Sequence, residues 1–292
     1  MLLPDISKIT VDKIHLPEFA EKKIELDILR LDKIHSLISG NKWFKLKYHL
    51  ENFNEGKYKG ILTFGGAWSN HIIATAMTCS LNKIKCIGII RGEKPTQFSQ
   101  TLQEALKLNM ELKFISRELY RKKNDIEILQ QLKEEHPGFY VIPEGGAGSE
   151  GEKGAGEILE LVNKNSYSHI ACAIGTATMF NGISKNVSTD QELIGIPVLK
   201  GMKKMDELNN TRIFYDYHFG GYAKFTNELI SFMNEFYKQS SIPTDFVYTA
   251  KLCFAIIDLL KQNNFPEGSK ILIIHSGGLQ GNQSLPMGTL NF

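Results

Sequence analysis

The sequence predicts an α/β fold of the doubly wound class, and three observations carry that prediction. Short runs rich in Ile, Val and Phe alternate with segments of helical periodicity, the signature of a parallel sheet with crossover helices. Glycine and small polar residues recur between the end of an apolar run and the start of a helical one. A chain of 292 residues is also ample for a buried core in one or two domains.

Taken in order, the expected strands lie at 61–64 (ILTF), 85–90 (KCIGII), 112–115 (LKFI), 140–142 (YVI), 170–174 (IACAI), 212–219 (RIFYDYHF) and 271–274 (ILII). Between them the helical spacing falls on NHIIATAMTCSL, TLQEALKL, GAGEILELVNK, TNELISFMNEFYKQ and AKLCFAIIDLLKQ. The stretch EGGAGSEGEKGAGE at 144–157 is rich in glycine and reads as a domain crossing, because glycine permits turns that other residues resist.

Composition excludes several functions. With 34 basic and 32 acidic residues the formal net charge is +2, and no Lys/Arg block tracks along an expected helix, which argues against a nucleic-acid partner. The start, MLLPDISKIT, lacks the basic and apolar regions of a signal peptide, and no apolar run approaches the roughly 18 residues of a membrane span. A soluble, cytoplasmic protein without a membrane partner is expected. Cys79, Cys86, Cys172 and Cys253 sit in apolar contexts without C-x-x-C spacing, as buried thiols do. His71 and His275 lack the H-E-x-x-H pattern or a carboxylate cluster, so no metal is expected.

Three loops place glycine and small polar residues where α/β sheets bind ligands: GGAWSN at 65–70, GTATMFNG at 175–182 and HSGGLQGN at 275–282. Lys42 stands at a fourth helix mouth, in SGNKWFKL. The loop at 175–182 matches neither G-x-G-x-x-G nor the Walker pattern, so nicotinamide and ATP are poor candidates. Its backbone N–H groups and the hydroxyls of Thr176 and Thr178 suit a phosphate. A phosphate-bearing cofactor with an aldehyde in reach of a lysine is pyridoxal phosphate.

The motifs SGNKWFKLKYHL, FGGAWSNHIIATA, IPEGGAGSEGEKGAGE, GTATMFNG, FGGYAKF, DFVYTAK and HSGGLQGN follow one another from about residue 25 to about residue 282. In order and spacing the chain resembles the D-cysteine desulfhydrase and 1-aminocyclopropane-1-carboxylate deaminase family, among the tryptophan-synthase-β-like pyridoxal-phosphate enzymes. The resemblance implies two doubly wound domains with the cofactor in the cleft between them. Residues 1–45 and 147–292 would form the larger and 46–146 the smaller domain. It implies a small amino-acid substrate and a homodimer.

Residue by residue, the resemblance makes Lys42 the lysine that bonds the cofactor's aldehyde and later acts as base. Lys45, one turn on, either helps neutralise phosphate or is a solvated surface lysine. Asn70 resembles the asparagine that bonds the cofactor's phenolic oxygen. Ser69, with the backbone to His71, resembles the holder of the substrate carboxylate; a simple N-cap is the competing account. Gly175, Thr176, Ala177 and Thr178 resemble the phosphate loop. Tyr222 and Tyr248 match two tyrosines on the substrate side, each with the alternative of a half-buried structural aromatic.

Relatives that open the cyclopropane ring carry glutamate and leucine where this chain has Thr249 and Ser276, and the desulfhydrase branch carries hydroxyl residues at both. Those positions are expected near the pyridine nitrogen, where a hydroxyl holds a proton less firmly than a carboxylate. The expected activity is therefore β-elimination to a 2-oxo acid and ammonia, with ring-opening deamination and a catalytically degenerate cofactor-binding protein as alternatives. Phe44 replaces an arginine of the family pattern, Ala177 a glycine, and Met179 deletes a hydroxyl from the phosphate loop. These departures predict weakened cofactor binding.

Overall fold

A computed structural model describes residues 4–15, 22–205 and 210–292. Among the described residues ten strands form two sheets. In chain order they are β1 (Val11–Ile14), β2 (Glu25–Arg30), β3 (Gly60–Gly65), β4 (Lys85–Arg91), β5 (Met110–Ile115), β6 (Phe139–Ile142), β7 (His169–Ile174), β8 (Glu192–Pro197), β9 (Thr211–Ile213) and β10 (Lys270–His275). The smaller sheet, ordered β5-β4-β3-β6, is parallel throughout. The larger, β1-β2-β10-β7-β8-β9, is parallel except for the edge pair β1–β2. The α/β expectation holds, with two parallel-sheet units.

Nine α-helices accompany the strands among the described residues: α1 (Asn41–Glu55), α2 (Asn70–Leu81), α3 (Gln100–Lys107), α4 (Arg117–Arg121), α5 (Ile126–Glu135), α6 (Ser149–Gly156), α7 (Thr178–Ser184), α8 (Asn227–Ser240) and α9 (Thr249–Lys261). The central strands β3 and β7 are buried at every residue, as expected of parallel strands covered on both faces. The four cysteines are buried and unpaired. No helix among the described residues is long and apolar enough to cross a membrane.

Three expectations change. The run 212–219 is strand only through Ile213; after Phe214 N donates to Gly195 O the chain leaves the sheet and forms a 3₁₀ turn at Asp216–His218. Its aromatics found partners on α9 instead, where Tyr217 donates to Asp258 at 2.7 Å and the Phe219 ring meets Phe254 edge-on. The glycine-rich stretch is partly helix, because α6 occupies Ser149–Gly156 and gives way to a 3₁₀ segment at Glu157–Leu161. Its glycines serve close packing: a Cβ on Gly154 would lie 1.8 Å from the Phe44 carbonyl oxygen of α1. Strands β1, β2 and β8 were not foreseen. In β2, Asp27 and Arg30 disguise a mostly buried run; Asp27 accepts from Tyr167 at 2.8 Å and Arg30 pairs with Asp12 and Asp32.

A helix spans the expected domain seam, since α1 runs from Asn41 through Glu55 and packs along α6. The C-terminal ends of the inner strands of both sheets open onto one cleft.

Candidate active site

The cleft has a cavity volume of about 260 Å³. Its lining follows the carboxyl ends of parallel strands, the place where crossover connections leave backbone and side chains free for ligands. From the smaller sheet come Ser69, Asn70 and His71 after β3, Arg91 at the end of β4, and Glu144 after β6. Gly175, Thr176 and Ala177 after β7 and Ser276, Gly277 and Gly278 after β10 face them from the larger sheet.

Lys42 reaches this cleft because α1 starts against the end of β10. Asn41 N donates to Ser276 O at 3.1 Å, and Gly40, at φ 65°, lets the backbones touch. A Cβ there would fall 1.8 Å from the Ser276 carbonyl oxygen, so no other residue fits. Lys42 Nζ donates to Asn41 Oδ1 at 2.7 Å and stands 5.9 Å from the Tyr248 ring centre. Burial lowers its pKa to about 8, partly offset by the charge of Asp245. Met179 has a role the sequence did not suggest: its sulfur accepts from Asn41 Nδ2 at 3.2 Å and so orients the amide toward the lysine.

Lys45 is not a solvated surface lysine. It is 4% exposed, and its Nζ lies 3.4 Å from Thr176 Oγ1, within the loop expected to hold phosphate. Burial and the charge of Lys42 push its pKa well down, and among the described residues none of the groups that act on it is a carboxylate. Thr176 and Thr178 hydroxyls lie 3.0 Å apart. Thr178 begins α7, is 2% exposed and lies behind the lining formed by Gly175, Thr176 and Ala177. Ala177 itself sits at φ 60°, in the left-handed region where glycine is at home.

Ser69 caps α2, its hydroxyl accepting from Ile72 N at 3.3 Å, and it also lines the cleft. The sequence weighed the His71 side chain only as a metal ligand and otherwise used its backbone. Thr63 Oγ1 donates to Ile142 O at 2.9 Å, so it must accept from His71 Nε2 at 2.8 Å, leaving Nδ1 as a bare acceptor. Burial and the two lysines keep this ring neutral.

Tyr222 and Tyr248 both line the cleft, their rings edge-to-face with centres 6.1 Å apart. Tyr222 is 43% exposed at the mouth, and burial raises the Tyr248 pKa well above its usual value. Ser276 lines the cleft, whereas Thr249 is fully buried behind the wall at the start of α9. Phe44 is a core residue, 4% exposed, so the family arginine is replaced by packing against the interior.

Arg91 and Glu144 were also missed. Glu144 accepts from Tyr120 at 2.8 Å and pairs with Lys123 at 3.1 Å, and the Arg91 guanidinium lies 6.0 Å from the Tyr120 ring centre. Both follow strands that the sequence located, at 85–90 and 140–142, so the strand-end rule was the available signal.

The residues fit a phosphate-bearing aldehyde. Among the described residues the side-chain oxygen of Asn70 and Nδ1 of His71 are buried acceptors without partners, which polar groups in a finished interior rarely are, so a bound molecule that brings N–H or O–H donors would complete them. Among the described residues Lys45 has no counter-charge, which a phosphate would bring, and Lys42 is a lysine tuned toward its neutral, nucleophilic form. No group of three or more His, Cys, Asp or Glu residues among the described residues is placed to hold a metal.

A family model described as pyridoxal-phosphate dependent enzyme matches residues 13–277. A protein of Pyrococcus abyssi, provisionally named a 1-aminocyclopropane-1-carboxylate deaminase, is 26% identical over 91% of this chain and 88% of its own length. The Arabidopsis thaliana protein named bifunctional D-cysteine desulfhydrase/1-aminocyclopropane-1-carboxylate deaminase, mitochondrial, is 29% identical over 88% of this chain and 73% of its own. In fold, the crystal structure of an ACC deaminase homologue superposes with a TM-score of 0.78 at 24% identity, covering 96% of this chain and 93% of that one.

Proposed function

This chain belongs to the pyridoxal-phosphate dependent enzyme family, and on that premise we propose that it removes the β-substituent and the amino group of a small amino acid, D-cysteine or a close analogue. The products are a 2-oxo acid, ammonia and the departing group; for D-cysteine and one water these are pyruvate, ammonia and hydrogen sulfide. The observation that carries the reading is Lys42, held by Asn41 in a cleft beside an unpaired buried lysine and two unsatisfied polar side chains.

When bound, the cofactor supplies an electron-withdrawing ring that makes the α-proton of an attached amino acid labile. Lys42 would hold it through its aldehyde, and the Asn70 amide N–H would donate to the phenolic oxygen. Lys45, Thr176 and the backbone from Gly175 to Thr178 would hold the phosphate. The carboxylate of the substrate lies at the N-terminus of α2, where Ser69 and the free N–H groups through His71 receive it. Released when the substrate amine takes its place, Lys42 Nζ would take the α-proton, which requires the neutral amine that burial favours. Tyr222 and Tyr248 close the side from which the β-substituent leaves.

Ser276 is the hydroxyl on the cleft wall where the ring-opening relatives have a leucine, and Thr249, where they have a carboxylate, is buried outside the lining. A hydroxyl holds a ring nitrogen's proton less firmly, so elimination of a good leaving group such as thiolate suffers least. The name of the Arabidopsis relative joins both activities, which keeps ring-opening deamination as the second reading. The same reading divides the chain into 1–45 with 147–292 and 46–146, supported by the two sheets, with α1 spanning the seam.

The test is to incubate cofactor-loaded protein with D-cysteine, β-chloro-D-alanine and 1-aminocyclopropane-1-carboxylate, measuring pyruvate and 2-oxobutanoate. Pyruvate from the first two with little 2-oxobutanoate is expected. Faster 2-oxobutanoate establishes the second reading, and inertness toward all three points to a protein that binds the cofactor without turnover.

A further inference from the structure

Lys251 is a fully buried lysine outside the cleft lining, two residues into α9. Burying an ammonium is costly unless it is paired and hydrogen-bonded, and Asp245 acts on this one through its charge without forming an ion pair. Its partners are two backbone carbonyls: Nζ donates to His218 O at 2.9 Å and to Gly221 O at 2.8 Å. Those carbonyls bracket a turn in which Phe219, Gly220 and Gly221 all have positive φ, at 50°, 88° and 115°, followed by Ala223 at 53°. Two non-glycine residues held in the left-handed region indicate a loop kept in place by outside contacts. Phe254, on the next turn of α9, adds an edge-on ring contact to Phe219 with centres 4.9 Å apart. Directly after the bracketed turn comes Tyr222, which the loop presents to Tyr248 at the cleft mouth.

We propose that Lys251 is a positioning residue: its ammonium is a two-pronged latch that fixes the His218–Gly221 turn and thereby sets Tyr222 against Tyr248. The cost of burying the cation is offset locally by hydrogen bonds that no apolar residue can make, and the gain is realised at the cleft and not in the core. Replacing Lys251 by an apolar chain of similar length removes the cost of burying the cation while leaving the His218 and Gly221 carbonyls without their donor, two terms of opposite sign. Lys251→Met should therefore leave the fold intact while freeing the loop, which separates positioning from general stability.

The importance of Tyr222 to the reaction rests on the proposed function, whereas the latch itself does not, so the primary readout is amide hydrogen exchange in the whole protein. In Lys251→Met, amides from Phe219 to Lys224 are expected to exchange at least tenfold faster, with β7 and β10 unchanged and the melting temperature within a few degrees of the parent. Lys251→Gln, which retains N–H donors, should fall between the two, and it carries the comparison if the methionine variant does not fold. If the parent turns over D-cysteine, Lys251→Met should raise KM about tenfold with a smaller change in kcat. Unchanged exchange in the loop, or faster exchange spread over the large sheet in both variants, overturns the latch. A parent inert toward amino acids sinks the proposed function and leaves the exchange test standing.

Discussion

Lys42 and Ala177 show how single residues set the chemistry and its cost. A lysine attacks an aldehyde only as the neutral amine, and burial brings Lys42 to about 8 from an ordinary value near 10.5. Its neutral fraction is therefore roughly a tenth at pH 7 and nine-tenths at pH 9. Mixing cofactor-free protein with pyridoxal phosphate should give a loading rate that climbs through pH 8 and levels off above about pH 9; a climb that continues past pH 10 would place the lysine in water. Ala177 occupies the left-handed region at φ 60°. The sequence flagged it as glycine's place, and the structure supplies the reason. Ala177→Gly should stabilise the cofactor-free protein by about 0.5–1 kcal/mol, the relief of left-handed strain less the extra freedom glycine gives the unfolded chain. Denaturant midpoints measure this, and a lower midpoint would mean that the alanine methyl has a packing role. Lys45 and His71 were less legible, because burial and tautomer depend on neighbours distant in sequence: Thr176 lies 131 residues from Lys45.

At the level of elements, the helices were read best where periodicity and a cap agreed. The segment beginning NHIIATAMTCSL became α2 at Asn70–Leu81, with Ser69 as its cap. The run at 212–219 misled because aromatic alternation records only that a surface is half-buried, and α9 provides that surface as well as a sheet does. Glycines at 151, 154 and 156 read as a turn because spacing alone does not distinguish turning from close packing. Helix α6 settles their purpose by approaching α1 and α7 closely. Since a Cβ on Gly154 meets the Phe44 carbonyl at 1.8 Å, Gly154→Ala must push α1 away and carry Lys42 and Lys45 with it. Overpacking of this kind costs about 1–3 kcal/mol. Thermal melts of the variant should show that loss, together with weaker uptake of cofactor. A variant as stable as the parent would mean that α6 shifts without resistance.

For the whole molecule, the α/β alternation was legible because parallel strands must be apolar on both faces, while the edge strand β1 and the charge-bearing β2 carry no such mark; β8, inner and buried, carries it and was still missed. The loops at 65–70, 175–182 and 275–282 converge because each follows the carboxyl end of an inner strand, and the cleft between the two sheets is where those ends meet. A ligand touching both walls ties the sheets together, so loading with pyridoxal phosphate should raise the melting temperature and Lys42→Ala should lose most of that rise. An equal rise in the variant would show that the covalent link adds little. The most direct test of the account fixes that link chemically: treat cofactor-loaded protein with borohydride, digest it and map the modified peptide. A single adduct on Lys42 is predicted; an adduct on Lys45 or any other lysine, or none at all, would contradict the assignment of the site.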